Sequence, residues 1–509
     1  MNDKSIHCAL ISHENDKLKE LLLELKFVLK DVGADTEKTE RLKIEYGFEY
    51  SDVKAILSHE DVKVRQFGAF CIADLFGESA ATFLVDAYLR EDVEYNKEHL
   101  VKALTQLPLS SGQEKLYGRL EELIGLLRGE KNESHKHYIK EIRSLLCLLR
   151  KDGERRPFTG QKLKNEIVLT TNRNFREVTL DSIKGCPKKL FNAGVMVLCD
   201  DIRKIADIRT FDEMLFAPPF DEENYGLIGK EKDVARRYIS EVLTPYILER
   251  MKIRKNAKKL PVSFRLDIKG EEVRETEEDI QRTLTGIVEE ESGYELINIR
   301  NDFDIQIRFV KRKTGVFRPL VKFYVPKDAR FLYKTTDVAA GLKPYTAALI
   351  CALCGEYMTE GAKVLDPFCG AGTLLVERDK FLKTEFLFGS DIYPAACAAA
   401  EQNLAKAGLS VKSKIINKDF LSLGHKELFT ELITDLPFET EKKTLKELEA
   451  VYSAFFSRCT VLLEKGSYIF VYTRNYSLLK KEITRNNVGI VKCFEISKRE
   501  GAYLCVLKI

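Results

Sequence analysis

The stretch that decides the fold is Val364-Leu365-Asp366-Pro367-Phe368-Cys369-Gly370-Ala371-Gly372-Thr373-Leu374-Leu375-Val376-Glu377. It predicts a short buried strand that ends at Asp366, a turn with two glycines, and the first turns of a helix. Glycine has no Cβ and tolerates positive φ, so a ligand can approach the backbone of such a turn closely. The first amides of the helix point into the same space. In doubly wound sheets, a turn of this kind binds nucleotide-like ligands.

The spacing of the two glycines excludes two common kinds of nucleotide site. The Gly-x-Gly-x-x-Gly pattern of dinucleotide-binding turns is absent, and no Gly-Lys-Ser/Thr follows as in a phosphate-binding loop. Two glycines alone are weak evidence, because any tight strand-to-helix turn can use them. The identity of the ligand therefore depends on the rest of the chain.

Length and composition set the frame for the other motifs. A chain of 509 residues predicts about three domains. Its 82 Lys and Arg nearly balance its 79 Asp and Glu, which argues against a long basic tail but allows local basic surfaces. No apolar segment follows the first residues, and no run approaches the roughly 18 apolar residues of a membrane helix. We therefore expect neither a signal peptide nor a membrane span.

The 12 cysteines do not have the spacing of a disulfide framework or a zinc ribbon. Cys351 and Cys354 form the only close pair, and they lie in an apolar helical pattern. This position favours buried free thiols over metal ligands. We expect no metal site, and scattered free thiols fit a cytoplasmic protein.

Residues 1–150 predict an all-α domain, because they are rich in Leu, Lys and Glu with apolar residues at helical spacing. The segment 57–70 resembles the turn and second helix of a HEAT-type repeat, in which Asp61 and Arg65 would cap and brace the turn. Such repeats stack into extended binding surfaces. A plain helical bundle remains the alternative. In either case we expect a module that contacts RNA or protein, since no cluster of chemically active residues is present.

A charged linker that ends in Pro157 predicts a domain boundary. Beyond it, short runs of strand-like residues are mixed with helical patterns up to about residue 330. Two of these runs, 261–268 and 303–309, alternate apolar and polar residues, which predicts one buried and one exposed face. The other predicted strands are 166–171 and 194–199. The region 157–330 is therefore predicted to be α+β.

Two basic clusters lie in this middle region. They comprise Arg250, Lys252, Arg254, Lys255, Lys258 and Lys259, and then Arg308, Lys311, Arg312 and Lys313. Charge runs of this kind are often simply solvated surface. In a nucleic-acid enzyme they would contact phosphates without reading sequence.

From 331 to 509 the pattern alternates strands and helices, which predicts a parallel sheet covered on both faces. The predicted strands are 363–366, 385–391, 412–417, 431–435 and 467–473, with helices at 395–407 and 444–463. The last two runs, 491–496 and 502–509, predict a terminal hairpin.

Four acidic residues mark the carboxyl ends of four successive predicted strands: Asp366, Asp391, Asp419 and Asp435. Ligands of open α/β sheets bind at that edge. A single Asp at a strand end is more often a helix cap. Four of them together with a glycine turn indicate a binding site.

The motif from Asp366 to Glu377 resembles motif I of class I S-adenosylmethionine-dependent methyltransferases, in the form found in the THUMP-associated RNA guanine-N2 methyltransferase group. The segment 341–349 is similar to the element that lies over the cofactor in this group. The resemblance implies a Rossmann-like domain of seven strands with a C-terminal antiparallel hairpin at 331–509. The preceding region, with Arg330-Phe331-Leu332-Tyr333 at its end, is similar to the α+β THUMP-like or ferredoxin-like part of these enzymes.

The resemblance also implies which residues hold S-adenosylmethionine. Asp391 would accept hydrogen bonds from the ribose, Ile392 would pack on the adenine, and Asp419 would accept from the adenine amino group. Asp366 and the turn from Gly370 to Gly372 would hold the methionine end. The full set of implied cofactor residues is Tyr345, Asp366, Phe368, Gly370, Gly372, Thr373, Asp391, Ile392, Asp419 and Phe420.

Asp435-Leu436-Pro437-Phe438 occupies the place of the (Asp/Asn)-Pro-Pro-(Tyr/Phe) motif of enzymes that methylate exocyclic amines. An aryl amine has its lone pair delocalised into the ring, so acceptors must hold and orient it. The Asp435 carboxylate and the Leu436 carbonyl could accept its hydrogens. Pro437 keeps the turn rigid, and Phe438 could stack on a base taken out of its helix. Leu436 replaces the first proline of the motif, and Glu439 follows the aromatic residue.

These motifs predict an S-adenosylmethionine-dependent RNA methyltransferase, with guanine N2 of tRNA or rRNA as the favoured target. N6-adenine methylation of RNA or DNA uses the same motif and remains an alternative. A non-catalytic RNA- or protein-binding scaffold that retains the methyltransferase fold is the other. Cys369 lies inside motif I, but the residues of a 5-methylcytosine mechanism are missing, so we expect it to be a packing residue.

Overall fold

The computed structural model describes residues 5–33, 35–109, 112–150, 155–252, 260–270, 275–324, 328–339, 341–424, 428–439 and 444–509. Two compact units divide the chain. One contains Met1–Thr159 and Pro218–Val325, and the other contains Gly160–Ala217 and Pro326–Ile509.

The first part of the first unit is helical. Its helices are α1 (Ile6–Ile11), α2 (Asn15–Val32), α3 (Thr36–Glu45), α4 (Asp52–Leu57), α5 (Val62–Phe76), α6 (Ala81–Arg90), α7 (Glu94–Leu104), α8 (Gln113–Leu127) and α9 (His135–Leu149), with a 3-10 turn at Gly77–Ala80. Apolar residues at helical spacing face one core, as Leu18, Leu22 and Leu25 do in α2. Asp61 caps α5, and Arg65 forms a bidentate ion pair with Glu91.

One stretch of this helical part, Val62–Arg90, is long and apolar enough by length and composition to cross a membrane. It is α5, the 3-10 turn and α6. Many of its apolar residues, among them Val64, Ile72 and Leu84, are buried in the core of the first unit. The core helices of a folded domain meet the same criterion, so the stretch is weak evidence for a span.

Residues 160–217 open the second unit with an antiparallel sheet in the order β2-β3-β1-β4. Its elements are β1 (Asn165–Thr171), α10 (Arg176–Ser182), β2 (Lys188–Phe191), β3 (Gly194–Cys199) and β4 (Phe211–Phe216), with 3-10 turns at Gly160–Lys162 and Ile202–Lys204. Strands β1 and β3 match the predicted strands at 166–171 and 194–199.

Residues 218–325 return to the first unit. Their elements are α11 (Glu222–Tyr225), α12 (Lys232–Tyr238), a π-helical turn (Ile239–Leu243), α13 (Thr244–Arg250), β5 (Val262–Lys269), α14 (Glu275–Glu291), β6 (Leu296–Asn298), β7 (Ile305–Lys311) and β8 (Phe317–Phe323). Strand β5 pairs in parallel with β6 and β7, and β7 pairs antiparallel with β8. A buried bidentate ion pair between Arg150 and Asp304 ties the end of the helical part to these strands.

The structure corrects part of the prediction that the two basic clusters contact phosphates. Arg250 is buried, and its guanidinium donates to the Tyr246 carbonyl, so it cannot contact phosphate. Arg308 is half-buried and donates to Gln306 on its own strand. Lys252 is exposed. The other four members of the first cluster lie in residues 253–259, outside the described residues.

The remainder of the second unit is the α/β domain predicted from residue 331. Its elements are α15 (Pro344–Cys354), β9 (Ala362–Asp366), α16 (Thr373–Phe381), β10 (Thr384–Asp391), α17 (Pro394–Lys406), β11 (Ser413–Asn417), β12 (Phe429–Asp435), α18 (Leu445–Leu462), β13 (Leu463–Thr473), α19 (Tyr476–Arg485), β14 (Gly489–Ser497) and β15 (Ala502–Lys508). Short 3-10 turns lie at Ala329–Phe331, Gly355–Tyr357, Ser410–Lys412 and Phe420–Ser422.

The sheet of this domain has the strand order β11-β10-β9-β12-β13-β15-β14. The first five strands are parallel, and β15 runs antiparallel to both β13 and β14. The chain reverses direction across the sheet between β9 and β12, which creates a topological switch point. Ligands bind beside such a point at the carboxyl ends of the strands.

The two units divide the predicted region 157–330 between them. Residues 160–217 pack with the C-terminal domain because long-range contacts tie them to it. Asn172 and Asn174 donate to the carbonyls of Ile496 and Glu495 in β14, and Arg209 forms a bidentate ion pair with Glu377 of α16. A linear sequence pattern does not contain such contacts.

Candidate active site

The glycine turn after β9 has the conformation that its sequence predicts. Gly370 has φ +50° and Gly372 has φ +74°, values that L side chains rarely adopt. A Cβ at Gly372 would also lie only 3.2 Å from the Cβ of Ala400 in α17. The Cys369 amide donates to the Ser390 carbonyl, which fixes the turn against β10. A Cβ at Gly370 would meet Val338 at 3.8 Å and no other described residue, so the part of the chain that the structure describes leaves that face of the turn open.

Asp391, at the end of β10, is held between the glycine turn and α17. One carboxylate oxygen accepts from the Gly370 amide and the other from the Tyr393 amide, both at 3.0 Å. The neighbouring Ile392 is 50% exposed, so its apolar side chain is free to cover a ligand. The structure therefore places Asp391 against the glycine turn and leaves the next residue, Ile392, half exposed.

Asp366 is buried at the end of β9. Its Oδ1 accepts from the Thr434 hydroxyl at 2.8 Å and from the Phe368 amide at 3.2 Å. Burial raises the pKa of Asp366 to about 7, the hydrogen bonds from Thr434 and Phe368 oppose the rise, and the charges of Asp435 and Asp391 add to it. Two of the other predicted carboxylates thus lie near enough for their charges to act on Asp366.

Asp435, at the end of β12, differs from these residues because its Oδ1 is buried and has no hydrogen-bond partner within the described part of the chain. Burial raises the pKa of Asp435 to about 7, and the charge of Arg474 opposes the rise. A buried acceptor without a partner costs stability. Such a group is a functional candidate when it lies at a ligand-binding edge.

The turn after Asp435 is fixed by three contacts. The Leu436 amide donates to the Tyr472 carbonyl at 2.9 Å, a bond that a proline at this position could not make. The Pro437 carbonyl accepts from the Tyr452 hydroxyl at 3.1 Å. The Arg474 guanidinium lies 3.9 Å from the centre of the Phe438 ring. The first of these contacts gives a physical reason for Leu436 in place of the usual proline.

Asp419 and Phe420 point to opposite sides. Asp419 is exposed and caps the turn Phe420–Ser422, where it accepts from the Leu421 amide at 3.0 Å. Phe420 is only 2% exposed, and its ring packs 5.8 Å from both Phe368 and Phe455. Asp419 is therefore accessible to a ligand, whereas Phe420 is a core residue that supports it.

Thr373 and Tyr345 complete the predicted set. Thr373 is the buried first residue of α16. Tyr345 lies in the first turn of α15, and burial raises its pKa, to which the charges of Asp212 and Glu500 contribute. The charges of Asp212 in β4 and of Glu500 in the final hairpin therefore reach Tyr345.

Several residues at this edge of the sheet were not predicted from the sequence. Asn403 of α17 is buried; its Oδ1 accepts from the amides of Thr335 and Thr336, and its Nδ2 donates to the carbonyls of Thr336 and Ala371. It fastens the segment before α15 over the glycine turn. The sequence did contain one indication of this role. Asn403 lies at helical spacing from the buried alanines of α17, which places its side chain on the buried face. Tyr452, Thr473 and Asn475, which lie beside Asp435, gave no such signal.

The cysteines lie mostly as predicted. Cys351, Cys354 and Cys369 are buried free thiols, and Cys369 packs against Gly389. Cys493 and Cys505 differ, because they form a cross-strand disulfide in the final hairpin. In the described ranges, the ligand atoms of Cys186, Cys199 and Asp200 lie within 4.8 Å of one another and could hold a metal ion. This cluster is in the sheet of residues 160–217 and not at the edge described above.

Comparison with known proteins gives a family match in the C-terminal part of the chain. Residues 332–500 match the family model described as RMKL-like, methyltransferase domain. The predicted resemblance to methyltransferases is therefore confirmed for this part of the chain.

Similar segments occur in the U6 snRNA (guanine-N(2))-methyltransferase THUMPD2 of two mammals. The chain is 32% identical to the Bos taurus protein over 137 residues, 25% of this chain and 26% of that protein. It is 25% identical to the Homo sapiens protein over 194 residues, 36% of this chain and 37% of that protein. The chain thus spans about a third or less of the length of these relatives.

Solved methyltransferase structures resemble about two thirds of this chain in fold. TrmN from Thermus thermophilus gives a TM-score of 0.52 at 17% identity, covering 68% of this chain and 99% of that chain. SMU.472, crystallised as a complex with SAH, gives 0.50 at 13% identity, covering 68% of this chain and 98% of that chain. The fold is therefore a methyltransferase-like α/β fold.

Proposed function

We propose that the protein transfers a methyl group from S-adenosylmethionine to the exocyclic N2 amine of a guanine in RNA. The single observation that supports this most is the buried Oδ1 of Asp435, which has no hydrogen-bond partner among the described residues and lies at the carboxyl edge of the sheet in a domain that matches the RMKL-like methyltransferase model. The names of the mammalian relatives support guanine N2.

The residues at the switch point fit S-adenosylmethionine, which supplies a methyl group bound to a sulfonium. The open face at Gly370 lets the ligand approach the backbone. Asp391 has acceptor capacity left for the ribose hydroxyls, since each of its oxygens accepts one amide hydrogen. Ile392 would cover the adenine, and exposed Asp419 would accept from the adenine amino group.

Asp435 and the turn after it would hold the target amine. The Asp435 carboxylate and the Leu436 carbonyl accept the two amine hydrogens, which aims the nitrogen lone pair at the methyl group. Phe438 has Arg474 on its ring, so a flipped base would stack on the other face. Most of the rate then comes from positioning two reactants rather than from a strong base.

The preceding parts of the chain would bind the RNA. We infer that 157–330 is a THUMP-like region, on the support of the parallel β5–α14–β6 unit followed by β7 and β8. We infer that 1–150 is a HEAT-like module for RNA or protein, on the support of the capped and ion-paired turn at Asp61 and Arg65.

The full chain with tritiated S-adenosylmethionine and a panel of tRNA, rRNA and U6 snRNA, followed by nucleoside analysis, tests the proposal. We expect N2-methylguanosine in one RNA of the panel. N6-methyladenosine would replace the proposed target with adenine. If S-adenosylmethionine binds but no methyl group is transferred, the proposed enzymatic activity is contradicted. The alternative of a non-catalytic binding scaffold would then stand.

A further inference from the structure

Within the described ranges, Nδ2 of Asn475 is another buried polar atom at this edge that has no hydrogen-bond partner. Asn475 is the N-cap residue of α19, a position where an Asn side chain ordinarily accepts a hydrogen bond from the first turn of the helix. Here its side chain makes no capping bond. Its main-chain amide instead donates to the Thr473 hydroxyl at 2.9 Å. The main-chain hydrogen bond to Thr473 therefore holds Asn475 in position, and its carboxamide does not cap the helix.

A chain of hydrogen bonds links Asn475 to the target motif. The Tyr452 hydroxyl donates its proton to the Pro437 carbonyl, so its oxygen accepts from the Thr473 hydroxyl 2.7 Å away. The Thr473 oxygen in turn accepts from the Asn475 amide. Each hydrogen bond in this series is donated in the direction of Pro437, from Asn475 through Thr473 and Tyr452. The turn after β12 and the turn after β13 are thereby held as one rigid unit.

Asp435 and Asn475 act on the same neighbour. Strands β12 and β13 are adjacent and parallel, with Asp435 opposite Tyr472, so both side chains follow at the carboxyl edge of the sheet. Burial raises the pKa of Tyr452 to about 12; Thr473 and Asn475 lower it, and the charge of Asp435 raises it. The charge of Asp435 and a side-chain interaction of Asn475 therefore both act on the Tyr452 hydroxyl.

These two groups complement the edge of a guanine. That edge presents N2–H and N1–H as donors and O6 as an acceptor, whereas a carboxylate is acceptor-only and a carboxamide nitrogen is donor-only. We propose that Asn475 donates through Nδ2 to O6 of the target guanine while Asp435 accepts from N2–H and N1–H. Adenine has an unprotonated N1 beside its amine, which would face the carboxylate as a second acceptor. Asn475 is thus a specificity-determining residue.

This assignment rests on the proposed function, and its test uses the RNA and the guanosine identified there. The same RNA is synthesised with 2-aminopurine riboside at the target position, which keeps the 2-amino group and lacks O6. Single-turnover rates on both RNAs are measured for the wild type, Asn475→Ala and the isosteric Asn475→Asp. Cofactor affinity and thermal unfolding show whether each variant is folded.

We expect the wild type to prefer guanine, and the preference to fall about tenfold in both variants, because one hydrogen bond to O6 is lost. Some preference remains, since 2-aminopurine also lacks the N1–H that Asp435 reads. A folded Asn475→Ala with an unchanged guanine to 2-aminopurine ratio would overturn the role of Asn475 and leave the proposed function standing. Absence of transfer by the wild type to any RNA would instead overturn the proposed function, and this assignment with it.

Discussion

The cofactor side and the target side of the switch point are built differently. On the cofactor side, Asp391 and Asp366 both accept hydrogen bonds from the protein itself. On the target side, the buried Oδ1 of Asp435 and Nδ2 of Asn475 have no partner among the residues described. The difference teaches that the residues proposed to hold the cofactor are hydrogen-bonded within the fold, whereas those proposed to hold the target keep two buried polar atoms without a partner among the described residues.

The largest expected effect separates the two sides at Asp435. Asp435→Ala removes the amine acceptor, so the methyl-transfer rate should fall on the order of 10³-fold. Affinity for S-adenosylmethionine, measured by calorimetry, should stay within a few-fold, because Asp435 does not line the glycine turn. Glu464→Ala is the matched control, since Glu464 is an exposed acid at the amino end of β13, on the opposite edge of the sheet. If Asp435→Ala lowers the transfer rate and the affinity for S-adenosylmethionine by the same factor, Asp435 does not act on the target alone and the distinction between the two sides is wrong.

The converse change is Asp391→Ala. It removes the acceptor proposed for the ribose and the partner of the Gly370 amide. One charged hydrogen bond contributes about 1.5–3 kcal/mol, so S-adenosylmethionine should bind about 10- to 100-fold more weakly. At saturating cofactor the transfer rate should recover most of its wild-type value. Failure to recover would assign Asp391 to the transfer step itself.

A pH profile sharpens the role of the Asp435 charge. Because its pKa is raised to about 7, the carboxyl is protonated below that pH and cannot accept both hydrogens of the guanine edge. The value of kcat/KM should therefore rise with pH up to about 7 and then level off, changing about tenfold per pH unit on the acid side. A flat profile between pH 6 and pH 8 would show that ionised Asp435 is not required.

Asn403→Ala tests whether the cofactor side belongs to the fold. The change removes the partners of the Thr335 and Thr336 amides and of the Ala371 carbonyl. We expect the free energy of unfolding to fall by about 3 kcal/mol in denaturant titration, because buried groups lose their partners. Gln402→Ala is the control, since this exposed neighbour bonds the same segment only at the surface. Equal small losses for both variants would place the segment outside the stable fold.

The strands that end in acids were predictable from local pattern. Asp366, Asp391 and Asp435 each close an apolar strand, and parallel strands bring their carboxyl ends to one edge. The strands of the middle region were harder to predict from the sequence. β2 is short and exposed, β4 contains two acids, and β8 contains Pro319, which disfavours a strand in sequence. These strands form because long-range pairing outweighs local preference.

The target side was predictable only at Asp435-Leu436-Pro437-Phe438, where four consecutive residues form a motif. Tyr452, Thr473 and Asn475 come from α18, β13 and the start of α19, and no local pattern joins them. Their roles depend on hydrogen bonds between elements that are distant in sequence. The grouping of residues 160–217 with the C-terminal domain was missed for the same reason.

Thermal unfolding of Asp435→Asn at pH 8 tests the central claim most directly. The pKa of Asp435 is above its ordinary value, so the ionised carboxylate destabilises the fold at pH 8 and this cost disappears on acidification. The neutral, isosteric Asn should therefore raise the unfolding midpoint by a few degrees at pH 8 and hardly at all at pH 4. Asp391→Asn, whose carboxylate accepts two amide hydrogens, should lower it. A lower midpoint for Asp435→Asn at pH 8 would contradict the account, because Asp435 would then stabilise the fold rather than be held for the substrate.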